Sequence, residues 1–330
     1  MLTAVTGASG HVGVNLTRAL VARGRKVRVL SHLSNLGLEG LPVDYYQGDV
    51  GDVESLSAAF NGVSVVYHLA AHISLSMNDW RRCAGVNIVG TRNVIEACRR
   101  SGVRRLVHFS SIHALCSEPR DTPIDESRPH VSSPFAPPYD RSKAEGERLV
   151  RHAVGQGLDA VIINPTGVIG PFDYRPSHFG QALIQIATGK IPVLIEGGFD
   201  WVDARDVAEW AIKAEETAAP GSSYLLSGHW LSMRDISTIA AGIMGSRPPA
   251  LVCPMALARA CAPFVEAASG LSGIRPVFTT VSLGALVSNC KISHAKATAE
   301  LGYAPRPVRE TIGDTLQWFR ENGYIRSRRP

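Results

Sequence analysis

Leu2-Thr3-Ala4-Val5 runs straight into Thr6-Gly7-Ala8-Ser9-Gly10-His11-Val12-Gly13, and Val14-Asn15-Leu16-Thr17-Arg18-Ala19-Leu20-Val21 follows. The order is a short apolar strand, a glycine turn, then a helix-like stretch. Glycines at 7, 10 and 13 permit a sharp turn, a close backbone approach to a pyrophosphate, and a helix lying tight on its strand. Free N–H groups at the start of such a helix are ready donors for an anion. The stretch predicts a dinucleotide site made by Gly7, Ser9, Gly10, His11, Val12 and Gly13, opening an α/β fold with a doubly wound parallel Rossmann-type sheet.

The chain after it repeats the strand and helix alternation. Residues 26–30 read as a second strand ending at Ser31-His32. In this fold an acidic residue at that tip accepts from the ribose hydroxyls. Ser31 stands there instead. A carboxylate would repel a 2′-phosphate, whereas Ser31 and His32 can donate to one, so the sequence favours NADP and leaves NAD possible. Arg28 either assists or points to solvent.

A third strand over 43–47 leads to Gly48-Asp49-Val50. Asp49 reads equally as an acceptor for the adenine amino group and as the N-cap of a helix over 53–60. The fourth strand, 63–68, runs into Leu69-Ala70-Ala71, where small residues let the backbone pass beside the cofactor. His72 follows at the ligand-collecting edge and reads as structural or exposed. Periodicity predicts one long helix over 80–100, within which Asn87 needs a polar partner. The fifth strand, 105–109, ends in Ser110-Ser111, hydroxyls that can hold a carbonyl oxygen or simply make a turn.

Tyr139-Asp140-Arg141-Ser142-Lys143 then opens a further helix. Positions i and i+4 share a helix face, so the Tyr139 hydroxyl and the Lys143 ammonium can address one place. Bringing a phenol from about 10 to neutrality takes about 4 kcal/mol, which a desolvated Lys and an oxidised nicotinamide could supply together. The expectation is a Tyr139 lowered by Lys143 and the oxidised nicotinamide together, and acting as a general acid or base.

Taken in order, the glycine turn, Gly48-Asp49-Val50, His68-Leu69-Ala70-Ala71, Val86-Asn87-Ile88-Val89-Gly90-Thr91, Phe109-Ser110-Ser111, Tyr139 with Lys143, and Asn164-Pro165-Thr166-Gly167-Val168-Ile169-Gly170-Pro171 resemble the extended short-chain dehydrogenase/reductase family. The resemblance spans nearly the whole chain. It implies that Ser111 positions the substrate oxygen, that Tyr139 exchanges its proton, and that Lys143 holds the nicotinamide ribose. It also implies a structural or relay role for Asn87, and Pro165 and Val168 against the nicotinamide ring. Three departures bear on the reaction. The dehydratases' acidic pair is replaced by Ile112-His113, the epimerase-like Asn-Val-Tyr-Gly-Pro by Gly167-Val168-Ile169-Gly170-Pro171, and the diphosphate-binding arginine by Phe199. Gly197 to Ala208 and the closing segment from Tyr303 to Tyr324 resemble the dihydroflavonol reductase-like branch instead.

Composition agrees with a soluble globular protein. Of 330 residues, 45% are hydrophobic and 19% charged, and the net charge of +5 is scattered without a dense basic stripe, which argues against nucleic acid. Charges and prolines within 248–273 argue against a membrane span there. The glycine turn occupies the place where a secretory leader needs an apolar run, so a cytoplasmic protein is expected. The six cysteines lack the close spacing of a zinc or disulfide framework. Residues 1–165 are expected to form the dinucleotide-binding part and 166–330 a mostly helical substrate-binding part, with 200–225 returning to the first. Helices are expected over 180–187, 207–216, 233–244, 255–268, 293–301 and 309–322, and Trp201, Phe172, Phe179, Phe264 and Phe278 could wall a pocket.

The function expected is hydride transfer between NADP and a small-molecule ketone, aldehyde or secondary alcohol. The alternatives are a sugar or polyol epimerase, and a non-enzymatic NADP redox sensor, against which the retained Tyr139 and Lys143 speak. A homodimer through the 80–100 and 139–155 helices is a further expectation.

Overall fold

The computed structural model describes residues 1–31, 35–272, 278–288 and 291–325. His32 and the arginines beyond 325 lie outside them. Strands β1 (Leu2–Thr6), β2 (Lys26–Ser31), β3 (Val43–Gln47), β4 (Val65–His68), β5 (Arg105–Phe109) and β6 (Ala160–Pro165) alternate with helices. These are α1 (His11–Ala22), α2 (Val53–Ala59), α3 (Trp80–Cys83), α4 (Thr91–Arg100) and α5 (Pro138–Gly155). After β7 (Gly167–Ile169), α6 (His178–Ala187), β8 (Val193–Ile195), β9 (Gly198–Asp203) and α7 (Ala204–Thr217), the chain supplies β10 (Ser223–Leu226). The main sheet has seven parallel strands in the order β10-β6-β5-β4-β1-β2-β3.

Alternation along these strands builds two apolar layers. Val5, Tyr67, Val107 and Val161 face α1 and α7, with Leu16, Leu20, Val207 and Ile212. Their neighbours Ala4, Val66, Leu106 and Ile162 face the other way, against Leu56, Phe60, Val94 and Val150. Each large apolar side chain so buried contributes about 1.5–3 kcal/mol of transfer free energy.

A second core gathers Leu183, Phe199, Trp201, Ile236, Leu316 and Phe319. Around it stand the small sheet β11-β9-β7, with β11 at His229–Ser232, and α8 (Met233–Met244) and α12 (Val308–Glu321). A two-stranded pair β12-β8, with β12 at Leu251–Cys253, precedes α9 (Met255–Ser272) and α10 (Thr280–Ala285), and α11 (Ala295–Leu301) packs on β10 and α7. Among the described residues no helix is long and apolar enough to cross a membrane.

Four expectations need correction. The helix over 80–100 is interrupted: Ala84–Gly90 winds as a π-helix between α3 and α4. The helix over 53–60 is capped by Asp52, whose side chain accepts from Glu54 N, while Asp49 accepts from Gly51 N at 2.6 Å in a local turn. Arg28 is turned to Asp44 at 2.7 Å and to the Ala59 carbonyl at 2.8 Å, and does not serve the β2 tip. Phe264 is 77% exposed and Phe278 packs with Ala258, Ala262 and Leu283, so neither joins Phe172, Phe179 and Trp201 in the second core.

Candidate active site

β1 and β4 are neighbours from which the strand order runs in opposite directions, and the crevice at their C-terminal ends is where ligands of such sheets sit. Gly7 adopts φ 70°, and a Cβ there would lie 2.6 Å from Ala70 N and 2.7 Å from the Leu69 carbonyl carbon. A Cβ on Gly13 would lie 2.2 Å from Gly7 O. The turn thus needs both glycines, and Leu69-Ala70-Ala71 is the backbone laid against it. Gly10 heads α1 without a side-chain cap, so the first N–H groups of the helix face the crevice as anion donors.

The His11 ring is engaged elsewhere. Its Nε2 lies 3.0 Å from Gly170 O and 3.1 Å from Pro171 O, two carbonyls that require an N–H there. Asn15 Nδ2 donates to Pro171 O at 3.1 Å beside it. His11 therefore fastens the loop after β7 to α1. At the tip of β2, Ser31 Oγ donates to Asn35 Oδ1 at 2.7 Å, and no carboxylate occupies position 31. Val50 O accepts from Asn93 Nδ2 at 2.9 Å, which ties the Asp49-Val50 turn to α4. This glycine cradle and uncapped helix end fit a dinucleotide, and Gly7, Ser9, Gly10, Val12 and Gly13 are the residues that would hold its pyrophosphate.

The reacting groups meet at the tips of β4, β5 and β6. Ser111 caps the short turn Ile112–Ala114, with Oγ accepting from His113 N at 3.2 Å. Tyr139 lies in the first turn of α5 with its hydroxyl bonded to Ser111, and Lys143, one turn on, donates from Nζ to the Phe109 carbonyl at 2.6 Å. Lys143 by itself does not lower Tyr139. Burial pushes the phenol up to about 12, outweighing the Ser111 hydrogen bond, and Asp140 adds to the rise. Burial also brings the Lys143 ammonium down to about 8, against the attraction of Glu147.

Glu147 is a buried carboxylate that the sequence reading did not single out. It accepts from His130 Nε2 at 2.8 Å, from Arg151 Nη2 at 2.8 Å and from Asn164 Nδ2 at 2.8 Å. Burial alone would raise its carboxyl, but the hydrogen bond from His130 and the Arg151 charge hold it well below the ordinary range. Asn164 also donates to Ser111 O at 3.3 Å, so this one carboxylate braces Ser111 and sits a turn from Lys143.

Asn87 finds the partner its position demanded. Its Nδ2 donates to Ser142 Oγ at 2.8 Å and to His72 O at 3.0 Å, and its Oδ1 accepts from His72 N at 2.8 Å. Thr91 donates to Asn87 O at 2.8 Å, so His68, 3.1 Å away through Nε2, must donate to Thr91 and accept from Thr6 through Nδ1 at 2.8 Å. Burial, with the charge of Lys143 added, keeps that imidazole neutral by lowering it to about 3.

On the open side, His113 Nδ1 is 3.3 Å from Asp140 Oδ1. Its ring stacks on Phe199 at 5.7 Å and meets Tyr139 edge-on at 5.9 Å. Burial would lower this imidazole, but the charge and hydrogen bond of Asp140 raise it on balance. His72 pairs with Asp79 at 2.7 Å. Neither Asp140 nor Asp79 was legible as a partner, because each pairs with a histidine from a different element. Pro165 is buried at the end of β6, and Val168 is half-buried in β7, packed against the first core.

The family model described as "NAD dependent epimerase/dehydratase family" matches residues 3–226. Over 98% of its length the chain is 36% identical to the sterol demethylase protein B of Methylococcus capsulatus, covering 100% of that protein. It is 29% identical to a putative dihydroflavonol 4-reductase of Synechocystis, with 98% of this chain and 96% of that one covered. Among solved structures, that of gox2253 superposes with a TM-score of 0.86 at 32% identity, over 98% of this chain and 99% of the other.

Proposed function

Because the chain belongs to the NAD dependent epimerase/dehydratase family, an extended short-chain dehydrogenase/reductase with NAD(P)-dependent oxidoreductase chemistry, we propose that it is an NADP-dependent carbonyl reductase or alcohol dehydrogenase. The observation that carries the reading is the meeting of Tyr139, Ser111 and Lys143 at the edge of the sheet beside the glycine crevice. The dinucleotide, when bound, supplies hydride to a carbonyl carbon or removes it from an alcohol.

The chain's own residues handle the oxygen and its proton. A phenol held up to about 12 stays protonated at neutral pH, which suits it to donate to the oxygen during carbonyl reduction. Ser111, fixed by His113 N and by Asn164, orients that oxygen. Lys143 brings positive charge one turn below, favouring phenolate once the proton has left. Ser31 at the β2 tip spares a 2′-phosphate the repulsion of a carboxylate, which supports NADP over NAD.

Phe199 argues against a nucleotide diphosphate sugar. It lies buried between His113 and Trp201, presenting a ring where a doubly charged diphosphate would need a cation. Ile112-His113 likewise lacks an acidic pair for eliminating water. The substrate reading is thus an uncharged small carbonyl compound or alcohol.

The test is consumption of NADPH and NADH, followed separately, against aryl ketones, aldehydes, flavonoid-like and steroid-like carbonyls, and sugars. Net oxidation of NADPH by a carbonyl compound is the expected result. Interconversion of sugar epimers without net change in the cofactor overturns it.

A further inference from the structure

Beside the reacting groups a second set of chemically distinct donors converges. Asp79 is the N-cap of α3 and Cys83 its last residue, four positions on, with Cys83 N donating to Asp79 O at 3.1 Å. His72 meets them from the segment after β4. Its Nε2 is 2.7 Å from Asp79 Oδ2, and the imidazole nitrogen, the carboxylate oxygen and the thiol sulfur all lie within 4.8 Å of one another.

Each donor is braced from behind. Asn87 bonds both backbone groups of His72, at 2.8 and 3.0 Å. The Ser74 side chain bonds Asp79, and the Cys83 thiol donates to the His72 carbonyl at 4.0 Å. Cys83 is fully buried, whereas the His72 and Asp79 side chains are 31% and 23% exposed. Solvent therefore reaches the cluster past the nitrogen and oxygen donors, and the sulfur is its floor.

We propose that His72, Asp79 and Cys83 form a binding site for a zinc-class divalent cation, with a fourth position open to water. Imidazole, thiolate and carboxylate are the donors such an ion takes at about 2.0–2.3 Å, and three protein ligands with one open position is a recurrent zinc arrangement. Tetrahedral ligand atoms then stand about 3.4 Å apart. The His72–Asp79 contact opens slightly and the sulfur closes in. A thiol among the ligands and a single carboxylate disfavour magnesium and calcium, which want several oxygens. On binding, the thiol proton passes to solvent, and the His72–Asp79 hydrogen bond is exchanged for two bonds to the metal.

The site is coupled to the chemistry through Ser142. That hydroxyl donates to the Tyr139 carbonyl at 2.8 Å and accepts from Asn87, which in turn holds the backbone of His72.

Cobalt(II) titrated into the full chain reads the site without reference to activity. One equivalent is expected to give tetrahedral visible bands and a near-ultraviolet thiolate-to-cobalt band, both displaced by zinc. Cys83→Ser should abolish the thiolate band, His72→Ala should weaken binding about tenfold or more, and Cys261→Ser, which removes an exposed thiol, should change neither. Absence of the thiolate band, or its survival in a folded Cys83→Ser chain, overturns the proposal. If Cys83→Ser does not fold, unchanged cobalt affinity in His72→Ala and Asp79→Asn overturns it equally.

Discussion

Tyr139 carries its proton at neutral pH because the groups packed round it exclude water, and removing that hydroxyl removes the acid without disturbing the crevice. Tyr139→Phe is expected to cut turnover 10²–10⁴-fold while NADPH affinity, read by fluorescence titration, stays within a few-fold; unaltered turnover strips Tyr139 of its role. Glu147 acts on the same chemistry from beneath. Glu147→Gln leaves His130 and Arg151 facing a neutral amide, and the expected loss is about 3–5 kcal/mol of stability, the usual cost of breaking a buried pair. Its carboxyl is lowered from an ordinary 4.5, so its contribution is complete above that pH and drains away as pH falls further. The variant should therefore show a shallower loss of Tm than the parent between pH 5 and 3. Ser111, Tyr139 and Lys143 were legible in the sequence because helical spacing and strand-tip position are local properties. The direction of the Tyr139 shift was not, since it depends on the burial of the phenol, with His113 edge-on to it, on the Asp140 charge, and on Lys143 turning to Phe109 O.

The π-helical stretch Ala84–Gly90 is the element that tertiary contacts reshape most clearly. Apolar periodicity runs unbroken from 80 to 100, so a continuous α-helix was the natural reading. Asn87, bonded at once to His72 and Ser142, holds the backbone in the wider coil, a setting in which such bulges recur near functional sites. Gly146 of α5 packs against this stretch, and a Cβ there would lie 2.6 Å from Asn87 O. Gly146→Ala gains about 1 kcal/mol of helix propensity. The clash with a backbone oxygen costs about 1–3 kcal/mol, so the expected net result is a lower Tm with lower kcat. A variant more stable than its parent in thermal melts would show that the two elements slide freely. By contrast, α8 was read with its observed ends, because a Ser232 capping box starts it and Gly245, at φ 63°, stops it. Those signals are written in single residues and need no partner.

At the scale of the molecule, the two ends of the crevice make different demands. The glycine end is common to both nicotinamide dinucleotides, while Ser31 at the β2 tip is the residue proposed to separate them. NADPH is expected to raise Tm more than NADH at equal concentration, as tighter binding to the native state must, and Ser31→Asp should reverse that order by at least tenfold in Kd. Equal shifts with both cofactors in the parent chain would refute the preference. The parallel sheet was legible from its alternating strands and helices, and β10 pairs with β6 in register Ser223↔Ile162 through Leu226↔Pro165.

That last pairing gives the polypeptide an order of birth. Everything between Pro165 and Ser223 must leave the ribosome before the flank of β6 is covered, and until then a wholly apolar ribbon, Ala160 to Ile163, stands bare on the growing chain. Pairing across so long a stretch closes slowly. The nascent molecule thus passes through an interval in which its own unfinished edge lies open to a neighbour's until the missing rung arrives.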